Sequence, residues 1–282
     1  MTIRYVIVGL AAFAALAAGA AQTRIAGRVV EKGGECLPYA TIKVKNRYLG
    51  AVADSVGLFE IQGAMAASDT VVVSYMGFRT RKLLVAELGV SDSTVSLVEM
   101  ESAPVPLPEV AVRPGKRKTV KYGKKHGTGM LSADYTAEAG LCTGFETKAG
   151  KGRTMWLDAV GFYIKEIPGM LSSMKFRINI YDMAGVTREP TDEFADALVG
   201  QIYFDYDKAD VVDGRYIWAL PEMMRLPEHA MVEIEFLENR KNEAIVFKCN
   251  LLGKNSWIRE HDEYFWCTCP IATPFFVSCI EN

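Results

Sequence analysis

The chain has 282 residues, half of them hydrophobic, and 32 basic residues against 34 acidic ones give a formal net charge of −2. Domains usually hold about 100–200 residues, so this length is enough for two modest hydrophobic cores. A net charge this close to zero supplies no overall electrostatic field that would recruit nucleic acid or an anionic membrane surface, which argues against both classes of partner.

The first 21 residues are typical of a secretory signal peptide. Arg4 supplies a positive charge, an apolar stretch covers residues 5–16, and small-x-small triplets suited to cleavage end at Ala20 and at Ala21. The apolar stretch is shorter than the roughly 20 residues that a membrane-spanning helix needs. We therefore expect an exported, soluble mature protein, with an uncleaved N-terminal anchor as the alternative.

Short runs of β-branched residues, separated by glycine, aspartate and proline, follow between residues 24 and 75. Apolar and polar side chains alternate there, as in strands that bury one face. Residues 54–57 read Asp-Ser-Val-Gly, the order that a type I turn prefers, and Phe59 then returns the chain to the core. The residues expected to face the core are Ile25, Val29, Ile42, Val44, Val52, Phe59 and Ile61.

The order of these parts resembles the carboxypeptidase-regulatory-like domain, a small prealbumin-like β-sandwich. The segments that carry the resemblance are Gly27-x-Val29, Leu37-Pro38-Tyr39-Ala40-Thr41-x-x-Val44, Asp54-x-x-Gly57-x-Phe59-x-Ile61 and Val73-Ser74-Tyr75-x-Gly77-Phe78. The resemblance implies a Greek-key sandwich over residues 22–112 that serves as a spacer or docking module. It also implies a protein of Bacteroides-type bacteria, in which the module often precedes TonB-dependent receptors.

A basic segment over residues 113–134 is predicted to separate two domains. Residues 113–126 read RPGKRKTVKYGKKH, without an acidic side chain. We interpret the segment as a solvated linker, because blocks of like charge usually are. Membrane contact through this linker, at anionic headgroups, or binding of an acidic partner is the alternative. Tyr122 alone offers little to stack on nucleic-acid bases, so we expect no nucleic-acid partner.

Strand alternation resumes in the second half with larger side chains. Residues 175–181 alternate Phe, Ile and Ile with polar residues, and residues 232–236 place Glu233 and Glu235 on a face that we expect to meet water. At least six such runs, separated by turns, predict a jelly-roll-like β-sandwich over residues 135–282. This half is similar to the C-terminal β-domain that accompanies the regulatory-like module in envelope proteins of Bacteroides-type bacteria.

The sequence lacks the common catalytic signatures. His126, His229 and His261 stand in neither the His-x-x-Glu nor the His-Glu-x-x-His pattern that holds catalytic zinc. Neither a Gly-x-Ser-x-Gly nucleophile elbow nor a Walker-type phosphate loop is present. We predict that the protein is not an enzyme and holds no metal or cofactor, with an unrecognised hydrolase as the weakest alternative.

Six cysteines follow the signal, four of them in the last 34 residues. An exported chain permits up to three disulfides, whereas buried free thiols would pack as small hydrophobes, and both alternatives stay open. Cys267-x-Cys269 on a strand would place two thiols on one face, where we favour core packing or a disulfide over a metal ion. Four aspartates within residues 205–213 lack the glycine of an EF-hand, so we expect a polar loop there.

Aromatic residues of the second half supply the candidate binding residues. All four tryptophans fall there, and sugar-binding sandwiches expose flat rings beside polar side chains that grip hydroxyl groups. Tyr216 and Trp218 follow the turn at residues 213–214, and Trp257 follows residues 255–256, so these three are the candidates. Burial of the rings in the core is the alternative.

The sequence thus predicts an all-β protein with a signal peptide at residues 1–21 and two sandwiches joined by a basic linker. We expect a non-catalytic binding or interaction protein that is exported to the cell envelope, in the periplasm or associated with the outer membrane or cell surface. A role as an accessory to outer-membrane nutrient uptake fits this address. The expected partner is an envelope protein or a glycan, and the alternative is a carbohydrate-binding module with a discrete aromatic site.

Overall fold

The computed structural model describes residues 23–45, 47, 49–89, 95–103, 117–123, 131–137, 141–165, 170–185, 197–238, 240–249, 256–259, 267–268 and 274–282. Within these ranges the chain is almost entirely β-strand, with short 3₁₀ helices at Val85–Leu88 and Lys208–Asp210. None of the described residues forms a helix of the length and apolar character that crossing a membrane requires. The predicted signal peptide lies outside the described residues.

The strands form two β-sandwiches, which confirms the predicted all-β fold class. In chain order they are β1 (Thr23–Glu31), β2 (Thr41–Val44), β3 (Gly50–Val52), β4 (Leu58–Gly63), β5 (Thr70–Ser74), β6 (Arg81–Leu84), β7 (Ser96–Met100), β8 (Lys118–Gly123), β9 (Leu131–Ala137), β10 (Cys142–Lys148), β11 (Met155–Tyr163), β12 (Ser173–Asp182), β13 (Leu198–Asp207), β14 (Arg215–Arg225), β15 (His229–Phe236), β16 (Arg240–Cys249), β17 (Ser256–Arg259), β18 (Cys267–Thr268) and β19 (Phe275–Glu281).

Strands β1 to β7 build the first sandwich around one apolar core. One sheet has the order β4-β1-β7 and the other the order β3-β2-β5-β6. Strand β1 pairs antiparallel with β4 and parallel with β7. Of the residues predicted to face the core, all except Val52 are buried. The alternation of apolar and polar residues therefore predicted this core correctly.

The turn predicted before β4 is confirmed. Gly57 has a φ of 78°, and its N–H donates to the carbonyl of Asp54 at 3.0 Å. The Asp54 carboxylate accepts hydrogen bonds from the N–H groups of Val56 and Leu58, both at 2.9 Å. A Cβ atom at Gly57 would lie 2.7 Å from the carbonyl oxygen of Val29. Glycine is therefore required both by the left-handed backbone and by the close approach of β1.

The second sandwich packs a six-stranded sheet against a four-stranded one. Their orders are β13-β12-β15-β10-β17-β18 and β14-β11-β19-β8, and β16 and β9 form a further pair. The core between them is rich in aromatic rings. Five rings surround Phe162 with centroids 4.9–5.8 Å from its own, and they belong to Phe176, Tyr206, Tyr216, Phe247 and Phe275.

Part of the predicted basic linker at residues 113–134 belongs to the second sandwich. Strand β8 pairs antiparallel with β19, and Lys121 lies opposite Ser278. Tyr122 packs against the aromatic core, so β8 buries apolar surface while it completes the hydrogen bonds of β19. These gains outweigh the local concentration of positive charge, and the prediction of a solvated linker is wrong for Lys118–Gly123.

Candidate functional site

A layer of mostly buried polar side chains covers the outer side of the six-stranded sheet, opposite the aromatic core. We name this layer the polar face, and its members are Cys142, Arg177, Asn179, Tyr181, Gln201, Glu233 and Glu235. The two glutamates are at most 1% exposed, as are Arg177 and Asn179. The prediction that Glu233 and Glu235 meet water is therefore wrong, because a second buried layer lies where solvent was expected.

Strand register brings these side chains together in rows that cross the sheet. Because side chains alternate along a strand, the apolar residues of β12 enter the core and its polar residues point outward. One row runs through Cys142, Glu235, Arg177 and Tyr203, and the next runs through Gly144, Glu233, Asn179 and Gln201. Directly opposed side chains on one face interact across neighbouring strands. The sheet therefore holds the site on rigid elements rather than on loops.

Arg177 is the central hydrogen-bond donor of the polar face. Its Nε and Nη2 atoms donate to Oε2 of Glu235 at 2.9 and 2.7 Å. Burial alone would lower the pKa of Arg177, but the Glu235 carboxylate and Tyr203 raise this pKa above its ordinary value. The guanidinium consequently stays charged inside the protein, where charge-assisted hydrogen bonds are strong.

The Asn179 amide bridges the two buried carboxylates. Its Nδ2 atom donates to Oε2 of Glu233 at 2.8 Å and to Oε2 of Glu235 at 2.7 Å. The Tyr181 hydroxyl also donates to Oε2 of Glu233, at 3.0 Å. Gln201 donates from Nε2 to Oδ1 of Asn179 at 2.8 Å, which fixes the direction of the Asn179 amide. Both carboxylates are therefore held in defined orientations by neutral and charged donors.

The first sandwich sits on one end of the polar face. Arg177 donates from Nη1 to the backbone carbonyl of Tyr39 and from Nη2 to Oγ1 of Thr41, the latter at 2.8 Å. The ring centroids of Tyr39 and Tyr203 are 5.9 Å apart. Burial, together with the nearby Tyr203, raises the pKa of Tyr75 to about 12. One guanidinium thus joins the two sandwiches and the Glu235 carboxylate.

The three predicted binding residues do not form one surface. Tyr216 is 2% exposed in the core, and its hydroxyl donates to the carbonyl of Asp205 at 2.8 Å. Its proposed role on a ligand-facing surface is wrong, because its ring packs among other aromatic rings. Trp218 is half-buried and stacks on Phe204, with centroids 5.0 Å apart. Trp257 lies on the other sheet of the sandwich.

Trp257 is nevertheless close to the polar face. It lies on β17 opposite Gly144, at the end of the row that contains Glu233. It packs against a small apolar cluster that includes Tyr181 and Met231. Trp257 as a whole is partly exposed, although its indole nitrogen is buried. Trp257 is therefore the candidate residue whose position still fits contact with a ligand.

The remaining chemical candidates have structural roles where the structure describes them. His229 pairs with Glu146 at 2.6 Å. Within the predicted acidic cluster, Asp205 pairs with Lys175 at 2.6 Å and Asp207 caps the short helix that follows it. Cysteines 36, 142 and 279 form no disulfide within the described residues. The side chains of the Cys267-x-Cys269 pair lie outside the described residues.

The match to a family model agrees with the resemblance of the first sandwich. Residues 25–112 match the model of the CarboxypepD_reg-like domain. The first sandwich is therefore a domain of this class, as the order of its sequence segments predicted. No curated protein matches the sequence.

Solved structures offer only distant similarity. A structure of infectious bursal disease virus, Gt strain, is 11% identical with a TM-score of 0.26, over 92% of this chain and 63% of that chain. BcpA, the major pilin subunit of Bacillus cereus, is 9% identical with a TM-score of 0.22, over 90% of this chain and 67% of that chain. This chain thus spans about 63% of the length of the viral protein. Scores this low carry no argument about function.

Proposed function

We propose that this protein is a non-catalytic binding or interaction protein of the cell envelope, in which both sandwiches act as one unit. The observation that carries the proposal is the contact through Arg177, which fixes the CarboxypepD_reg-like domain on the sheet of the second sandwich. A domain held in this way presents its own surface and that of its neighbour to a partner in a constant arrangement.

Exposed apolar side chains at sheet edges support a protein partner. Leu97 is 62% exposed on β7, at the edge of a sheet in the first sandwich. Ile217 and Met223 are also exposed, on the edge strand β14 of the second sandwich. Exposed apolar groups on edge strands favour association with another protein. The N-terminal segment, which is typical of a signal peptide, supports an envelope address for that partner.

The proposed address is tested by fractionating native cells and sequencing the N-terminus of the protein. We expect the protein in the periplasmic or outer-membrane fraction, beginning just after Ala20 or Ala21. A protein that is confined to the cytoplasm and begins at Met1 would overturn the proposed export.

The proposed partner is tested with photo-crosslinking residues placed at Leu97 and at Ile217 in living cells. Lys32, which is exposed but lies outside these apolar positions, provides the control site. We expect one envelope protein to be captured from either apolar position and not from Lys32. Absence of any specific product at both apolar positions would contradict an interaction role for these edges.

Glycan binding is a second candidate, and the placement of Trp257 favours it. Trp257 is partly exposed, and an aromatic ring at a protein surface can stack on the apolar face of a sugar. Glycan-array binding by the full chain that is lost in Trp257→Ala, with an unchanged circular dichroism spectrum, would promote this candidate. A protein partner without sugar binding would favour the first proposal, and hydrolysis abolished by one carboxylate substitution would contradict both.

A further inference from the structure

We infer that Cys142, Glu233 and Glu235 form a binding site for Zn²⁺ or a chemically similar divalent transition-metal ion. The Sγ atom and one oxygen of each carboxylate lie within 4.8 Å of one another, and all three side chains are buried. None of these three residues belongs to the histidines, the Cys267-x-Cys269 pair or the aspartate cluster for which the sequence predicts no metal, and strand register alone brings them together.

The three ligands come from two adjacent strands. Cys142 on β10 lies directly opposite Glu235 on β15, and Glu233 is two residues earlier on the same face of β15. Zinc is held by thiolate and carboxylate ligands in structural and catalytic sites, whereas magnesium and calcium prefer oxygen alone. The thiol therefore points to zinc or a chemically similar transition metal.

Charge balance supports a divalent cation. Ionised Cys142, Glu233 and Glu235 carry three negative charges, and the adjacent Arg177 carries one positive charge. A divalent ion would bring this buried group to neutrality, and buried charges are stable only when they are paired or bind a metal. Arg177 supplies the positive charge in this sum, and its Nε and Nη2 atoms donate to Oε2 of Glu235 at 2.9 and 2.7 Å.

Hydrogen bonds around the carboxylates form the support that metal ligands usually have. Every donor described above, from Arg177, Asn179 or Tyr181, reaches an Oε2 atom. Such contacts orient a ligating carboxylate and increase metal affinity. In addition, Oε1 of Gln201 is buried and accepts no hydrogen bond from the described residues. The polar face therefore holds a further acceptor without a donor among the described residues.

Cobalt titration of the full mature chain tests the site, because Co²⁺ bound to a thiolate gives a near-ultraviolet charge-transfer band. We expect one Co²⁺ per chain with this band, and displacement by Zn²⁺. The band should disappear in Cys142→Ser. It should persist in Cys279→Ser, a matched control, since Cys279 is a buried cysteine outside the proposed site, and burial raises its pKa to about 12. The near-isosteric Glu233→Gln should weaken binding about tenfold or more.

Thermal melting provides a second measurement that does not depend on the spectrum. Zn²⁺ should raise the melting temperature of the unsubstituted chain, because an ion that binds only the folded state stabilises it, and should raise that of Glu233→Gln clearly less at the same Zn²⁺ concentration. Binding should weaken as the pH falls, since the ligands must lose protons. Absence of a thiolate band in the unsubstituted chain, or its persistence in Cys142→Ser, would overturn the assignment.

Discussion

Two arginine–glutamate pairs show that burial decides how much an ion pair contributes to stability. Arg24 and Glu60 are joined at 2.8 Å with side chains that are 30% and 50% exposed. Arg177 and Glu235 are joined at 2.7 Å with both side chains 1% exposed. Exposed pairs contribute little, because water screens them. A buried pair that loses one partner leaves an uncompensated charge.

These pairs yield a matched prediction. Glu235→Gln should lower the free energy of unfolding by about 3–5 kcal/mol, because Arg177 would keep a buried charge without its counterion. Glu60→Gln should lower it by less than about 1 kcal/mol. Urea unfolding followed by circular dichroism measures both. Equal costs for the two substitutions would show that Arg177 is solvated in solution.

Two glycines separate backbone strain from close packing. Gly57 and Gly77 have φ values of 78° and 82°, but a Cβ atom at Gly57 would meet Val29, whereas one at Gly77 would meet nothing within 4 Å. Gly77→Ala should cost about 1–2 kcal/mol from the left-handed backbone alone. Gly57→Ala should cost clearly more, as measured by urea unfolding. A Gly57→Ala variant no less stable than Gly77→Ala would contradict the described packing of β1 on the turn.

Glu281 gives the protein a defined response to acid. It accepts hydrogen bonds from the N–H of Gly150 at 2.8 Å and from Arg153 at 2.9 Å. These bonds, the backbone one foremost, hold the pKa of Glu281 below its ordinary value. A carboxyl with a lowered folded-state pKa adds stability above its unfolded pKa of about 4.3, and loses it as the pH falls through the folded pKa.

Glu281→Gln should therefore reduce the pH dependence of stability. We expect a flatter plot of unfolding free energy against pH between about pH 5 and pH 2 than for the unsubstituted chain. Urea unfolding at each pH measures this. An identical plot for both proteins would show that the Glu281 contacts do not persist in solution.

At the scale of the strands, β8 shows how tertiary pairing overrides local composition. Its charged residues resemble a linker, yet β19 offers it an open sheet edge. We expect the amide groups of β8 that donate to β19 to exchange clearly more slowly than those of an unstructured peptide. Mass spectrometry of the exchanged protein measures this, and exchange at the rate of an unstructured peptide would contradict the pairing.

The alternation of apolar and polar residues predicted both the strands and the residues that lie on the same face of each strand. The Gly57 turn and the core face of β12 followed from local pattern alone. Tyr216, Trp218 and Leu220 are two residues apart along β14 and therefore share one face. Because Leu220 is buried, the inward direction of Tyr216 and Trp218 could have been predicted.

The burial of the polar face could not be predicted from the local sequence pattern, because it depends on what covers the sheet. That cover comes partly from residues far away in sequence, such as Tyr39 and Thr41. One signal was present: Arg177 and Asn179 repeat at the same spacing as Glu233 and Glu235. Such complementary pairs favour neighbouring strands, but only the register showed that they meet.

At the scale of the whole molecule, the polar face makes the two sandwiches interdependent. The guanidinium that pairs with Glu235 within the second sandwich also donates to two groups of the first. Contacts between domains are often weak and permit relative motion. If the domains separated, the guanidinium would keep Glu235 but would lose its acceptors on Tyr39 and Thr41, so we expect the arrangement to be maintained.

A double-mutant cycle between Thr41 and Arg177 tests this central claim most directly. Thr41→Val removes one hydroxyl acceptor, and Arg177→Met removes the guanidinium that donates to it. Thr23, whose hydroxyl donates to Met65 within the first sandwich, provides the control position with Thr23→Val. Urea unfolding of the single and double variants measures how far their effects depart from additivity.

We predict a coupling free energy of about 1–3 kcal/mol between Thr41→Val and Arg177→Met, the range for a hydrogen bond to a charged group. The pair Thr23→Val and Arg177→Met should be additive within about 0.5 kcal/mol. Additivity for the Thr41 pair as well would contradict the account, because it would mean that the two sandwiches do not meet at Arg177.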